Sequence, residues 1–116
     1  MKVKEKRIYE TAEKKDGYRI FVDKLWPRGM KKEDAHFDFW AKEISPSKKL
    51  RKSYHGNEID FKEFSKLYLK ELENNPDSKE FLEKIKSEKI ITLLTSVKNI
   101  ETSETPVLKE FIESEI

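Results

Sequence analysis

Apolar residues recur along this chain with two different periods. In the stretch GYRIFVDKLWPRG, from Gly17 to Gly29, Tyr18, Ile20 and Val22 alternate with Arg19, Phe21 and Asp23. Period two predicts a strand with two distinct faces. It ends on an acid and breaks into a loop stiffened by Trp26-Pro27-Arg28-Gly29. Ile90-Ile91-Thr92-Leu93-Leu94 is the most continuous apolar run and predicts a strand covered on both faces, as in the middle of a parallel sheet. Lys2–Tyr9 is a weaker strand, with Val3, Ile8 and Tyr9 among lysines that suit a sheet edge.

Helical spacing governs most of the rest. Phe37, Trp40, Ala41 and Ile44 fall at i, i+3, i+4 and i+7 and predict a short amphipathic helix. Ser45-Pro46-Ser47 interrupts it, and Ser47 caps a second short helix through about Tyr54. His55-Gly56-Asn57 stops that helix, with Gly56 suited to a left-handed end. Asp60 and Glu63 resemble a capping box ahead of Phe61–Asn74, whose stripe is Phe61, Phe64, Tyr68 and Leu72, widened by Leu67 and Leu69. Asn75-Pro76 opens a helix lined by Phe81, Leu82 and Ile85. After the polar loop Thr95–Glu104, Pro106 begins a final helix that buries Val107, Leu108, Phe111 and Ile112.

The expected fold is α/β, a small mixed or parallel three-stranded sheet flanked by about five helices, forming one domain over residues 1–116. The polar loop Glu10–Asp16 closes on a turn at Asp16-Gly17. It is too short for a crossover helix, so it favours antiparallel pairing of the first two strands. The long connection to the third strand reads as an elaborated right-handed crossover, which brings Asp23 and Ser96 to one edge of the sheet. Ligands of α/β sheets gather at that edge.

Composition narrows the chemistry. The charged fraction is 41% and the hydrophobic fraction 35%, so the surface is densely ionic, while an 11% aromatic fraction supplies large buried areas and argues against disorder. A net charge of +2 implies neither a nucleic-acid nor a membrane partner by itself. The absence of cysteine excludes disulfides, thiolate metal sites and the cysteine nucleophiles of phosphatase-like and rhodanese-like loops. No apolar run has membrane-spanning length, which argues for a cytoplasmic protein. Two isolated histidines make a poor metal site, and no glycine-rich phosphate loop or serine elbow is present, so no metal or cofactor is expected.

Asp23 is the first candidate for chemistry. Partly desolvated at a strand end, it needs a partner, for which Arg28, Lys24 and Lys98 are available. It reads either as a general base or hydrogen-bond acceptor, or as half of an Asp–Arg clamp. Arg28, between a rigid proline and a flexible glycine, suits bidentate binding of phosphate or carboxylate, or else a surface salt bridge. Only Arg7, Arg19, Arg28 and Arg51 interrupt the many lysines, and such arginines mark places that need a planar fork, unless codon bias put them there. Trp26 either stacks on a ligand ring or plugs the core. His55 is a proton shuttle or a helix-terminal cation. His36 reads as solvent-facing or loop-bound, and Tyr68 as core with a hydroxyl able to reach the site. Ser96, Lys98 and Asn99 leave the central strand as a ligand platform or as ordinary loop.

At Val22-Asp23-Lys24-Leu25-Trp26-Pro27-Arg28-Gly29 the chain resembles the YeaO-like family, a domain of unknown function. The likeness extends to Lys6-Arg7-Ile8-Tyr9, Trp40, Ser45-Pro46-Ser47, Leu50-Arg51-Lys52, His55, Thr92-Leu93-Leu94, Lys98 and Val107-Leu108-Lys109-Glu110. The resemblance implies an α/β fold and no established reaction. Longer relatives carry a helix between the first two strands, implying parallel pairing; Arg7 and Tyr9 would then join Asp23 at the functional edge. Two positions depart from the family pattern: Lys24 stands where an arginine is usual, and Thr102-Ser103 where a His-Asn-like pair is usual.

Together these features suggest an anionic small molecule, nucleotide-like or phosphate-bearing, held by Arg28 with Arg7 or Lys98 beside Trp26 and Ser96. Asp23 would act as base or acceptor and His55 as its proton partner, with turnover left open. A nucleic-acid-associated module using Lys48-Lys49, Arg51 and Lys52 beside Tyr54 is the alternative. A protein-interaction domain, which requires an exposed apolar patch, is the third. Oligomeric state is not decided by these patterns.

Overall fold

The computed structural model describes residues 1–116. Its strands are β1 (Lys2–Arg7), β2 (Tyr18–Phe21), β3 (Phe39–Trp40) and β4 (Ile90–Thr95). They form one four-stranded sheet in the order β1-β4-β2-β3, and every neighbouring pair is parallel. Its helices are α1 (Lys48–His55), α2 (Phe61–Asn74), α3 (Pro76–Ile85) and α4 (Thr105–Glu115). No helix is long and apolar enough to cross a membrane.

β4 is central, as its unbroken apolar run predicts. Ile91 and Leu93 join Ile20 and Val22 in a core with Phe64, Tyr68 and Leu72 of α2, Phe81 and Ile85 of α3, and four residues of α4. On the opposite face Leu94, Phe21 and Ile8 form a smaller cluster under Met30, Phe37 and Trp40.

Four strands replace the expected three, and the antiparallel pairing of the first two is wrong. β1 and β2 never touch as strands, because β4 lies between them. The loop-length argument took sequence neighbours for sheet neighbours. A connection of about ten residues reaches up to ~35 Å, whereas β1 is ~20 Å long, so the chain can run back without a helix. The edge lysines hold this return loop in place. Lys4 Nζ donates to the carbonyl of Lys15 at 2.7 Å, and Lys6 Nζ to that of Thr11 at 2.9 Å and to Asp16 at 3.1 Å.

The helix expected over Phe37–Ile44 is instead β3 followed by a 3-10 turn at Lys42–Ile44, and only four α-helices form. Its apolar spacing fits a helix by coincidence. Phe37 stacks on Phe21 at 5.6 Å on one side of the sheet, while Phe39 stacks on Phe81 at 6.4 Å on the other. The amides of Asp38 and Ala41 bond the carbonyls of Arg19 and Phe21, completing the pairing with β2.

The remaining helix ends follow their sequence signals. Ser47, Asp60 and Asn75 accept backbone N–H groups as caps, and Pro76 takes the first turn of α3. Gly56 is not left-handed (φ −84°); Asn57, one residue on, is (φ 60°).

Asp16 is the main buried ionic group of the sheet's lower half. Its carboxylate accepts from the Glu13 amide at 2.9 Å, from Lys6 and from the Arg19 guanidinium, and its carbonyl accepts from Thr92 Oγ1 at 2.6 Å. Burial alone would raise its pKa, but the amide and the two cations outweigh burial and hold it below the ordinary 3.8. A lowered carboxylate pKa stabilises the fold above the ordinary value, and that stability is lost as pH falls through the folded value. Urea denaturation of Asp16→Asn is expected to show a loss of about 3 kcal/mol at neutral pH and a flatter acid limb. Gly17 stands at φ +67° with β4 so close that an added Cβ would lie 2.3 Å from the Ile90 carbonyl. Gly17→Ala therefore destabilises by more than the ~1 kcal/mol of an ordinary left-handed glycine replacement, read in the same denaturation.

Candidate functional site

Parallel pairing places the ends of β1, β2 and β4 on one edge, where loops enclose a cleft of about 650 Å³. Asp23, 9% exposed, stands just past β2. Its Oδ1 accepts from Thr95 Oγ1 at 2.7 Å, and its Oδ2 accepts from the Ser96 amide at 2.8 Å and from Ser96 Oγ at 2.6 Å. The Glu104 carboxyl, at the entry to α4, lies beside Asp23 in the cleft wall. Burial first, then the hydrogen bond to Asp23 and its negative charge, lift Glu104 well above 4.5 against a smaller opposing pull from Arg51.

No cation lies within ion-pair distance of Asp23, so the expected partnership with Arg28, Lys24 or Lys98 does not form. All three of those cations nevertheless line the cleft, together with Arg51. Pro27 and Gly29 set the direction of Arg28. Gly29 adopts φ +75° and the Met30 amide closes a turn on the Pro27 carbonyl at 3.3 Å. The Arg28 carbonyl accepts from the Tyr9 hydroxyl at 2.8 Å, while the exposed guanidinium makes no hydrogen bond or ion pair within the protein.

The other three arginines are engaged. Arg7 reaches the same edge but donates from Nε to the Val97 carbonyl at 3.0 Å and from Nη2 to the Ser96 carbonyl at 3.0 Å. It clamps the loop that carries Ser96 and Lys98 and does not line the cleft. Arg19 is held by Asp16 and the His36 carbonyl, and Arg51 Nε donates to the Pro46 carbonyl at 3.3 Å.

Trp26 lines the cleft and is half in, half out: its indole N–H donates to the Met30 carbonyl at 2.8 Å, and its ring meets Trp40 edge-on at 5.7 Å. His55 is exposed at the cleft margin, and His36 is exposed and does not line the cleft. Tyr68 is core only, its hydroxyl committed to the Ile44 carbonyl at 2.8 Å. Of the basic run on α1, Arg51 lines the cleft, whereas Lys48, Lys49 and Lys52 do not.

Thr102 and Ser103 also line the cleft. Thr102 offers its carbonyl to the Tyr54 hydroxyl at 2.7 Å, and Ser103 Oγ lies 2.6 Å from Thr105 Oγ1. Glu104 is the residue that sequence reasoning missed. An acid before a helix proline reads as an ordinary favourable charge at a helix start, and nothing in the spacing shows that Asp23 lies opposite.

A family model described as "Inactive DUF488-N3 subclade" matches residues 2–116. The chain belongs to that subclade. It is similar to the "Uncharacterized protein YeaO" of Escherichia coli, 44% identical over 114 residues that cover 98% of this chain and 99% of the relative. The "Uncharacterized protein Rv3073c" of Mycobacterium tuberculosis is 33% identical over 111 residues, covering 96% of this chain and 93% of that one. No solved structure matches significantly. Thr102 and Ser103, where the resemblance implied a His-Asn-like pair, belong to the cleft wall itself.

The carboxyl pair gives a test. A raised carboxyl pKa means that stability is full below the ordinary 4.5 and is lost as pH climbs through the folded value. Glu104→Gln keeps a neutral hydrogen-bonding group there. Its denaturation midpoint is expected to equal or exceed that of the wild type at alkaline pH, with that part of the pH dependence gone. Asp23→Ala, which strands the Thr95 and Ser96 donors, is expected to lose about 2–4 kcal/mol.

Proposed function

We propose that this protein binds a phosphate-bearing or nucleotide-like small anion in the cleft at the carboxyl ends of its strands. The observation that carries the reading is the Arg28 guanidinium, aimed by a proline–glycine turn, exposed, and without any partner in the protein. A planar fork left free beside Lys24, Arg51 and Lys98 suits bidentate contact with phosphate or carboxylate. A cleft of about 650 Å³ is in the size range of small-molecule sites.

Binding is favoured over turnover. Asp23 already accepts three hydrogen bonds from Thr95 and Ser96, so it acts as an organiser of the cleft wall and not as a free base. His55 stands at the margin with no carboxylate to orient it, and the subclade's description as inactive points the same way. The nucleic-acid alternative is weaker, since the lysines of the basic run lie outside the cleft.

Thermal-shift titration with inorganic phosphate, sugar phosphates and nucleoside monophosphates tests the proposal. Arg28→Ala is expected to keep the unliganded melting temperature, because the guanidinium makes no hydrogen bond or ion pair in the protein, and to weaken ligand binding about tenfold or more. Equal stabilisation of the wild type and Arg28→Ala would overturn the role of this arginine.

A further inference from the structure

Large apolar side chains exposed to solvent are few and unevenly placed. Apart from Met1 and Ile116, they are Tyr9, Leu25, Trp26 and Val97, and all four lie on the loops that leave β1, β2 and β4 at the cleft edge. Leu25 is 72% exposed and Val97 42% exposed, and both line the same cleft as the cations, as does Trp26. An exposed leucine or valine taken singly needs no explanation, but clustering at the mouth of one cleft does. A bare phosphate or sulfate would use the cations and leave these side chains in water.

The Trp26 side chain and the Val97 backbone are also held in place. Trp26 is fixed by its hydrogen bond to the Met30 carbonyl and by its packing on Phe37 at 5.9 Å and on Trp40. The Val97 carbonyl is pinned by Arg7, and the Val97 amide donates to Thr95 Oγ1 at 3.2 Å. Apolar groups already held in place lose little side-chain freedom when a ligand covers them. Lys24, Arg28 and Lys98 come from the same two loops as Leu25, Trp26 and Val97, and Arg51 joins them from α1.

We infer that the ligand of this cleft is an organic phosphate with a flat apolar body, its phosphate read by Arg28 and its body by Leu25, Trp26 and Val97. This inference rests on the anion-binding reading and adds a second requirement to it. Leu25, Trp26 and Val97 are on this view specificity-determining residues. Covering one side chain's worth of apolar surface is enough to separate an aryl phosphate from a bare one by about tenfold or more.

The test is isothermal titration calorimetry at low ionic strength on the full chain, with inorganic phosphate, phenyl phosphate and phenol as probes. Phenyl phosphate is expected to bind at least about tenfold more tightly than inorganic phosphate, with phenol weakest. Leu25→Ser and Val97→Ser, both at exposed positions that the fold does not need, should shrink that ratio while leaving inorganic phosphate binding unchanged. Arg28→Ala should weaken both phosphates together. Equal affinity for the two phosphates, or a ratio untouched by both serine variants, overturns the inference and leaves the anion reading standing. No binding of either phosphate overturns both.

Discussion

Insertion of β4 between β1 and β2 is the constraint from which the rest of this structure follows. Six residues of β4 pair with β1 over its whole length, and four of them pair with β2 on the other side. Because both pairings are parallel, three strand ends emerge on one edge, and residues far apart in sequence become neighbours there. Asp23 meets Thr95 and Ser96 only because Phe21 is in register with Leu94. Arg7, in register with Thr95, is then within reach of the two carbonyls that follow β4. Without that insertion the loops forming the cleft would hang from separate ends of the molecule.

The same edge sorts the polar side chains into those that hold the protein and those that face outward. Arg7, Arg19 and Arg51 donate to backbone carbonyls, and Asp23 accepts from Thr95 and Ser96. Buried or half-buried polar groups need such partners, since an unmet one costs about 1–3 kcal/mol. Against this background Arg28 stands out as a guanidinium with its fork unoccupied. The cleft is therefore a scaffolded surface whose walls are fixed by hydrogen bonds and whose free functional groups are cationic and apolar.

How far the sequence revealed this depended on how local each cause is. Period-two alternation found β2, and an unbroken apolar run found β4 and its central position. Ser47, Asp60, Asn75 and Pro76 marked helix starts correctly because caps act within a few residues. The Leu-Trp-Pro-Arg-Gly turn was legible as a rigid loop at the strand end for the same reason, and it lines the cleft. β3 was not, because its two residues owe their strand geometry to Phe21 and Phe81, which no spacing within Phe37–Ile44 can reveal.

By itself, then, the sequence determined the α/β class, the central apolar strand, the helix starts and the candidates Asp23, Arg28, Trp26, Ser96 and Lys98. These depend on short-range periodicity, turn stereochemistry and the chemistry of single side chains. The tertiary structure alone decided that β4 separates β1 from β2, that Asp23 accepts from Thr95 and Ser96 and does not pair with Arg28, and that Arg7 braces the cleft from outside it. Each of those outcomes is a choice among partners distant in the chain. Such choices are set by which strand fills the middle of the sheet, and local sequence does not carry that information.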